Sequence, residues 1–197
     1  MKKNVPFLLI ILLIIIIFGC SPPPTLVKGN IFRVSEKMNF DGAVFAVLPF
    51  KSASQGKTFT NRVSTDGNAI SDILTLQLLS AGYKVIEREK LNRILQESAL
   101  SLSGLVTEGN KLTDVGQKIG ANYIIYGSVI QYDHQLSKNR WIVAIGVTAR
   151  FIEVKTGNLV LVCTASSQGQ TLAEALAGIS MAIVSAMKEE KIYVWQQ

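Results

Sequence analysis

Eight consecutive residues, Ala43–Phe50 (AVFAVLPF), form an unbroken apolar run bounded by Gly42 and Lys51. A run of that length and composition reads as a central strand buried in a sheet. Everything downstream has to cover it. Lys51 to Arg62 is polar loop. Ser64 or Thr65 then suits a helix N-cap, with Asp66 in the first turn. Ile70, Ile73, Leu74, Leu78 and Ala81 follow at helical spacing, and Gly82 closes the helix. Tyr83–Glu87 reads as a short strand, Arg88–Leu95 as a helix, and Lys111–Ile119 as another helix ended by Gly120. Asn122–Tyr132 and Trp141–Val154 are long strands, with Asp133–Arg140 between them as a polar hairpin loop. Thr156-Gly157-Asn158 is a tight turn into Leu159–Ser166, and Leu172–Lys188 is a final helix. The order β-α-β-α-α-β-β-β-α starts with crossovers and ends with hairpins. It predicts an α/β (α+β) domain, a mixed β-sheet with flanking helices, over residues 40–197.

The first 19 residues stand apart from that domain. Lys2 and Lys3 precede an apolar stretch from Val5 to Phe18, interrupted only by Pro6. A helix that crosses a bilayer needs about 20 apolar residues, so this shorter run reads as the h-region of a signal peptide. Ile17-Phe18-Gly19-Cys20 resembles the lipobox of bacterial lipoproteins. Gly19 is small enough for the peptidase, and Cys20 supplies the thiol that carries the lipid. Two or more acyl chains anchor a protein stably where one does not. Ser21 follows the cysteine in place of aspartate, which by enterobacterial rules directs the protein to the outer membrane. Residues 20–39, with Pro22-Pro23-Pro24, read as an extended tether.

Composition narrows the chemistry. The chain has 197 residues and a formal charge of +6, and removal of Lys2 and Lys3 leaves +4. The basic residues are dispersed, with no stripe suited to nucleic acid. The second cysteine, Cys163, has no intrachain partner once Cys20 is lipidated and reads as a small core residue. His134 is the only histidine, so no ligand cluster for a metal exists. Gly56-Lys57-Thr58 lacks the earlier glycine of a phosphate-binding loop, because Lys51 stands there. No Gly-x-Ser-x-Gly elbow occurs. The carboxylates Asp66, Asp72, Glu87 and Glu89 read as caps and solvated groups. No catalytic, metal or cofactor site is expected. The uncharged stretch from Ser98 to Gly104, with Ser98, Ser101, Ser103 and Gly104, is the candidate partner-facing loop. Its alternative is a loop whose leucines plug the edge of the core.

Several segments occur together in order: Ala46-Val47-Leu48-Pro49-Phe50, Val85-Ile86-Glu87-Arg88, Leu91 with Ile94-Leu95, Leu100 to Val106, Gly120 to Val129, and Val154-Lys155-Thr156-Gly157. As a set they resemble the CsgG-like family, the curli production assembly and transport lipoproteins, over roughly residues 43–188. The resemblance implies a lipid-anchored outer-membrane protein with a periplasmic α/β domain. In the curli protein itself, subunits form a ring and each adds two β-hairpins to a membrane barrel. A membrane strand takes about 9–11 residues with lipid-facing alternation. The two places for such hairpins here, Asp133–Arg140 and Ser166–Thr171, are short and polar. Lys51–Phe59, in the place of the family's constriction loop, does not match its aromatic and amide residues. The chain is therefore expected to be a soluble-domain variant of the family. The expected role is non-catalytic docking on a periplasmic or outer-membrane protein, or homo-oligomerisation, in envelope assembly or curli-type secretion. An activator of a peptidoglycan synthase is the first alternative. A subunit of a secretion pore is the second.

Overall fold

The computed structural model describes residues 27–33, 40–51, 67–97, 109–137 and 140–188. Their elements are β1 (Val27–Arg33), β2 (Val44–Val47), α1 (Gly67–Ser80), β3 (Lys84–Val85), α2 (Arg88–Glu97), α3 (Gly109–Ile119), β4 (Tyr123–Ser137), β5 (Arg140–Glu153), β6 (Leu159–Gly169) and α4 (Leu172–Met187). The strands form one six-stranded sheet in the order β1-β6-β5-β4-β2-β3. β2 pairs parallel with β3 and with β4, and the other neighbours are antiparallel. The expected mixed sheet and element order hold, with one strand added in front.

Helices cover both faces, and successive residues of the central strands serve the two cores in turn. Phe45, Val47, Ile125, Val147 and Phe151 pack in one buried cluster with Ile70, Leu74 and Leu78 of α1 and Ile179 and Ile183 of α4. Ala46, Leu48, Ile124, Ile152 and Val154 pack in the other with Leu91 and Leu95 of α2 and Leu112, Val115 and Ile119 of α3. An aromatic group fills the first core beside β2. The Phe40 ring lies 5.0 Å from that of Tyr123 and 5.6 Å from that of Phe45. Such ring pairs add about 0.5–1.5 kcal/mol each beyond their buried area.

Local chemistry sets the ends of the elements. Thr171 caps α4 by accepting a hydrogen bond from Glu174 N at 3.2 Å, while the Glu174 carboxylate accepts one from Gln170 N at 2.7 Å. At the turn between β5 and β6, Gly157 takes a positive φ of 72°, and the Thr156 hydroxyl donates to Glu153 at 2.6 Å.

Three sequence expectations are corrected. Asp133–Arg140 is not a loop: β4 runs through Ser137 and β5 starts at Arg140, with Leu136 opposite Trp141. The period-two pattern Tyr132, His134, Leu136 carries the strand past its polar alternates, which face the other side. Likewise β6 continues to Gly169. Finally, the stretch assigned to the tether contributes β1, a sheet edge antiparallel to β6. Its mixed composition, VKGNIFR, carries little strand signal, and the backbone ladder supplies what the side-chain pattern lacks. The proposed caps Ser64 and Thr65 lie outside the described residues.

Gly67 shows how tightly α1 meets β2. A Cβ built there would lie 1.7 Å from the Phe50 carbonyl oxygen, and Phe50 N already donates to Gly67 O at 3.1 Å. Glycine to alanine within a helix normally gains about 1 kcal/mol. Here the expected sign is reversed. Gly67→Ala should destabilise by about 1–3 kcal/mol, read as a lower urea midpoint at unchanged slope.

Candidate interaction surfaces

Of the carboxylates that sequence reasoning considered for chemistry, Asp72 is tied into structure. Arg88, at the start of α2, donates to Asp72 of α1 at 2.7 Å, to the Asn68 carbonyl at 3.2 Å, and to the Ser71 hydroxyl. With its partner carboxylate more than half exposed, that pair is worth at most about 1 kcal/mol. Its role is to hold α1 against α2. Glu87 and Glu89 are exposed. Asn122 accepts from Val44 N through its side chain at 2.8 Å and donates its own N–H to Val44 O at 2.8 Å. It thereby clips the start of β2 to β4. Among the described residues no group of three or more His, Cys, Asp or Glu converges on a metal position.

Cys163 lies in β6 as expected, a free thiol with no exposed surface. Burial pushes its pKa up to about 11. Cys20 and the loop residues Ser98, Ser101, Ser103 and Gly104 lie outside the described residues, as do Asp66 and Gly56-Lys57-Thr58.

His134 is on β4, not in a loop. Its exposed ring lies 4.7 Å from that of Trp141 on the neighbouring strand. Trp141 is 55% exposed and Leu136, directly across the ladder, 57% exposed. Further along the same face, Val143 and Ile145 are buried in the first core. The core-facing side of the sheet thus runs on past its helical cover and ends in an uncovered aromatic and aliphatic tip. Sequence reasoning missed these residues. The signal was present in the alternation Tyr132-His134-Leu136 and Trp141-Val143-Ile145. A second uncovered pair, Leu76 and Leu79, lies one turn apart on α1. At the opposite end of the sheet a shallow cleft of about 660 Å³ is lined by Asp41, Asn122, Tyr123, Glu153 and Lys155. Burial, with the Glu153 carboxylate second, raises the Tyr123 phenol there.

A family model described as curli production assembly/transport component CsgG matches residues 34–140, more than half of the chain. The chain belongs to the CsgG family. No curated protein sequence matches it. Among solved structures, a PelC variant dodecamer from Paraburkholderia phytofirmans aligns with a TM-score of 0.56 at 15% identity, covering 81% of this CsgG-family chain and 98% of the other. The PelC dodecamer in a second crystal form gives 0.52 at 15%, covering 84% and 100%. Lipoprotein GNA1162 from Neisseria meningitidis gives 0.53 at 16%, covering 75% and 99%. At these identities the likeness is one of fold.

The raised thiol pKa carries a pH dependence. A group held protonated in the folded state favours folding more weakly as pH climbs past its unfolded pKa. Stability should therefore be insensitive to Cys163 below pH 9 and fall between 9 and about 11 as the unfolded thiol ionises. Chemical denaturation across that range should show a shallower loss for Cys163→Ala than for the unchanged protein.

Proposed function

We propose that this CsgG-family chain is a lipid-anchored protein of the outer membrane, on its periplasmic face, that acts without catalysis. Its work is docking on a protein partner or self-assembly, in envelope assembly or curli-type secretion. The observation that carries the reading is the placement of uncovered apolar side chains. Single exposed hydrophobics are ordinary on any protein. Here they come as matched neighbours outside two filled cores: Leu136 across from Trp141, and Leu76 one turn from Leu79. The PelC dodecamers give a precedent for assembly by a domain of this fold, and GNA1162 is a lipoprotein. The leader ending in Gly19-Cys20 supports the anchor.

A secretion pore built as in the curli protein is not part of this reading. β5 extends past its β6 partner by three residues, Arg140 to Ile142, where a membrane strand takes about 9–11.

The anchor is tested by Cys20→Ala. The variant should accumulate as uncleaved precursor or move from the membrane pellet to the soluble fraction. Normal processing with unchanged membrane attachment would overturn the anchor. Light scattering of the detergent-extracted protein tests assembly: a mass well above the 21.5 kDa chain supports self-assembly, and a monomer leaves docking on a different protein.

A further inference from the structure

The two edges of the sheet are unlike. β3 at one edge has only two residues, and an edge that short offers little to pair with. β1 at the other edge has seven, Val27–Arg33, and among the described residues no strand lies beyond it. The hydrogen bonds of the sheet fix which of its backbone groups point outward. Val154 N donates to Asn122 O at 2.9 Å, so even-numbered residues of β4 and β5 bond one another across their ladder. Consistent with this, the odd residues Ile125 and Gly127 of β4 accept from Leu48 N and Lys51 N on the other side. Odd residues of β5 then bond β6, and in β6 the even residues Val162, Thr164 and Ser166 turn to β1. They meet Phe32, Asn30 and Lys28. The N–H and C=O groups of Val27, Gly29, Ile31 and Arg33 therefore point out of the sheet.

Such an edge accepts an extended chain, and its own sequence fits a second copy. Two antiparallel β1 strands centred on Asn30 set Val27 against Arg33 of the second copy and Gly29 against its Ile31. Every outward residue of both copies then has a bonding partner. A register centred on Gly29 or on Ile31 leaves one of them unpaired in each copy. Charge selects the same register. Centred on Asn30, the two Lys28 residues lie about 14 Å apart and the two Arg33 residues about 21 Å, at roughly 3.4 Å per residue and 4.8 Å between strands. Both separations exceed the screening length of about 8 Å at physiological salt. Centred on Gly29, the two lysines would come to about 8 Å.

We propose that two copies of this chain join β1 to β1, antiparallel and centred on Asn30, into one continuous sheet. The twofold axis passes through the seam at right angles to the sheet, so the interface is isologous and closes at two copies. The inference rests on the self-assembly reading of the proposed function and deepens it by naming the surface; it does not need the lipid on Cys20.

The test uses the full chain extracted in mild detergent. Across the seam Asn30 faces its own counterpart as a non-hydrogen-bonded pair, with Cα atoms about 4.5 Å apart, within disulfide range. Asn30→Cys, oxidised with copper phenanthroline, should run as a covalent dimer on a non-reducing gel. Lys28→Cys should not, since cysteines about 14 Å apart cannot bridge. The unsubstituted chain, oxidised alongside, reads any bridge made through Cys20. Ile31→Pro removes an outward N–H that β6 does not use, a position where an edge strand tolerates proline. Its mass by light scattering should fall to half that of the unsubstituted protein, with circular dichroism unchanged. A covalent dimer from Lys28→Cys and none from Asn30→Cys would overturn the proposal. An assembly whose mass Ile31→Pro leaves unchanged would overturn the seam and leave self-assembly standing through another surface. A monomeric unsubstituted chain with no covalent dimer from Asn30→Cys would overturn both. In whole envelopes, Asn30→Cys bridged to a protein of different mass, with no dimer, would assign the edge to a strand of that protein and overturn the second copy.

Discussion

Burial of β4 on both faces is the constraint on which the rest of the molecule depends. Ile124 and Ile125 are consecutive, fully buried, and serve different cores. Strand geometry sends neighbours to opposite faces, so each face of the sheet needs its own cover. α1 and α4 take one side, and α2 and α3 the other. β4 is also the junction of the two kinds of pairing, parallel to β2 and antiparallel to β5. Asn122, just before it, uses side chain and backbone together to hold β2 in register. Loss of this junction would leave a three-stranded antiparallel unit and a parallel fragment, neither with a closed core.

The same arrangement explains why the domain offers binding surfaces more readily than reactive groups. Several of its polar side chains join elements: Arg88 links α2 to α1, Lys90 reaches the Ile119 carbonyl at 3.0 Å, and Thr148 and Thr164 pair across β5 and β6. Cys163 is enclosed and held protonated. Among the described residues the surface also carries large apolar side chains at a few positions. Those are materials for contact with a partner, a second copy or a membrane.

Much of the fold was legible in the sequence because two-sided burial leaves an unbroken apolar run. Ala43–Phe50 could hardly be read otherwise, and the helices declared themselves through spaced apolar residues and closing glycines. Two features were hidden for opposite reasons. β1 has too little apolar content for pattern reading, and backbone pairing with β6 specifies it. The end of the β4–β5 hairpin was masked by charge, because Asp133, Lys138 and Arg140 look like loop. The alternate positions still keep strand periodicity, and attention to Tyr132, His134 and Leu136 alone would have found it. The candidate loop at Ser98–Gly104 and the anchor at Cys20 lie outside the described residues.

The two ends of the sheet are therefore unlike. One carries the entry of the chain and an apolar tip. The other carries a polar turn and the cleft beside Tyr123 and Glu153. The account holds that the uncovered apolar side chains at the first end are contact surface, and site-specific photo-cross-linking tests this most directly. A photo-activated cross-linking residue placed singly at the exposed positions Leu136 and Lys155 of the full chain reports what each position touches in the intact cell envelope. The account predicts covalent protein adducts from position 136 and none from position 155. Adducts from position 155 with none from position 136 would contradict it.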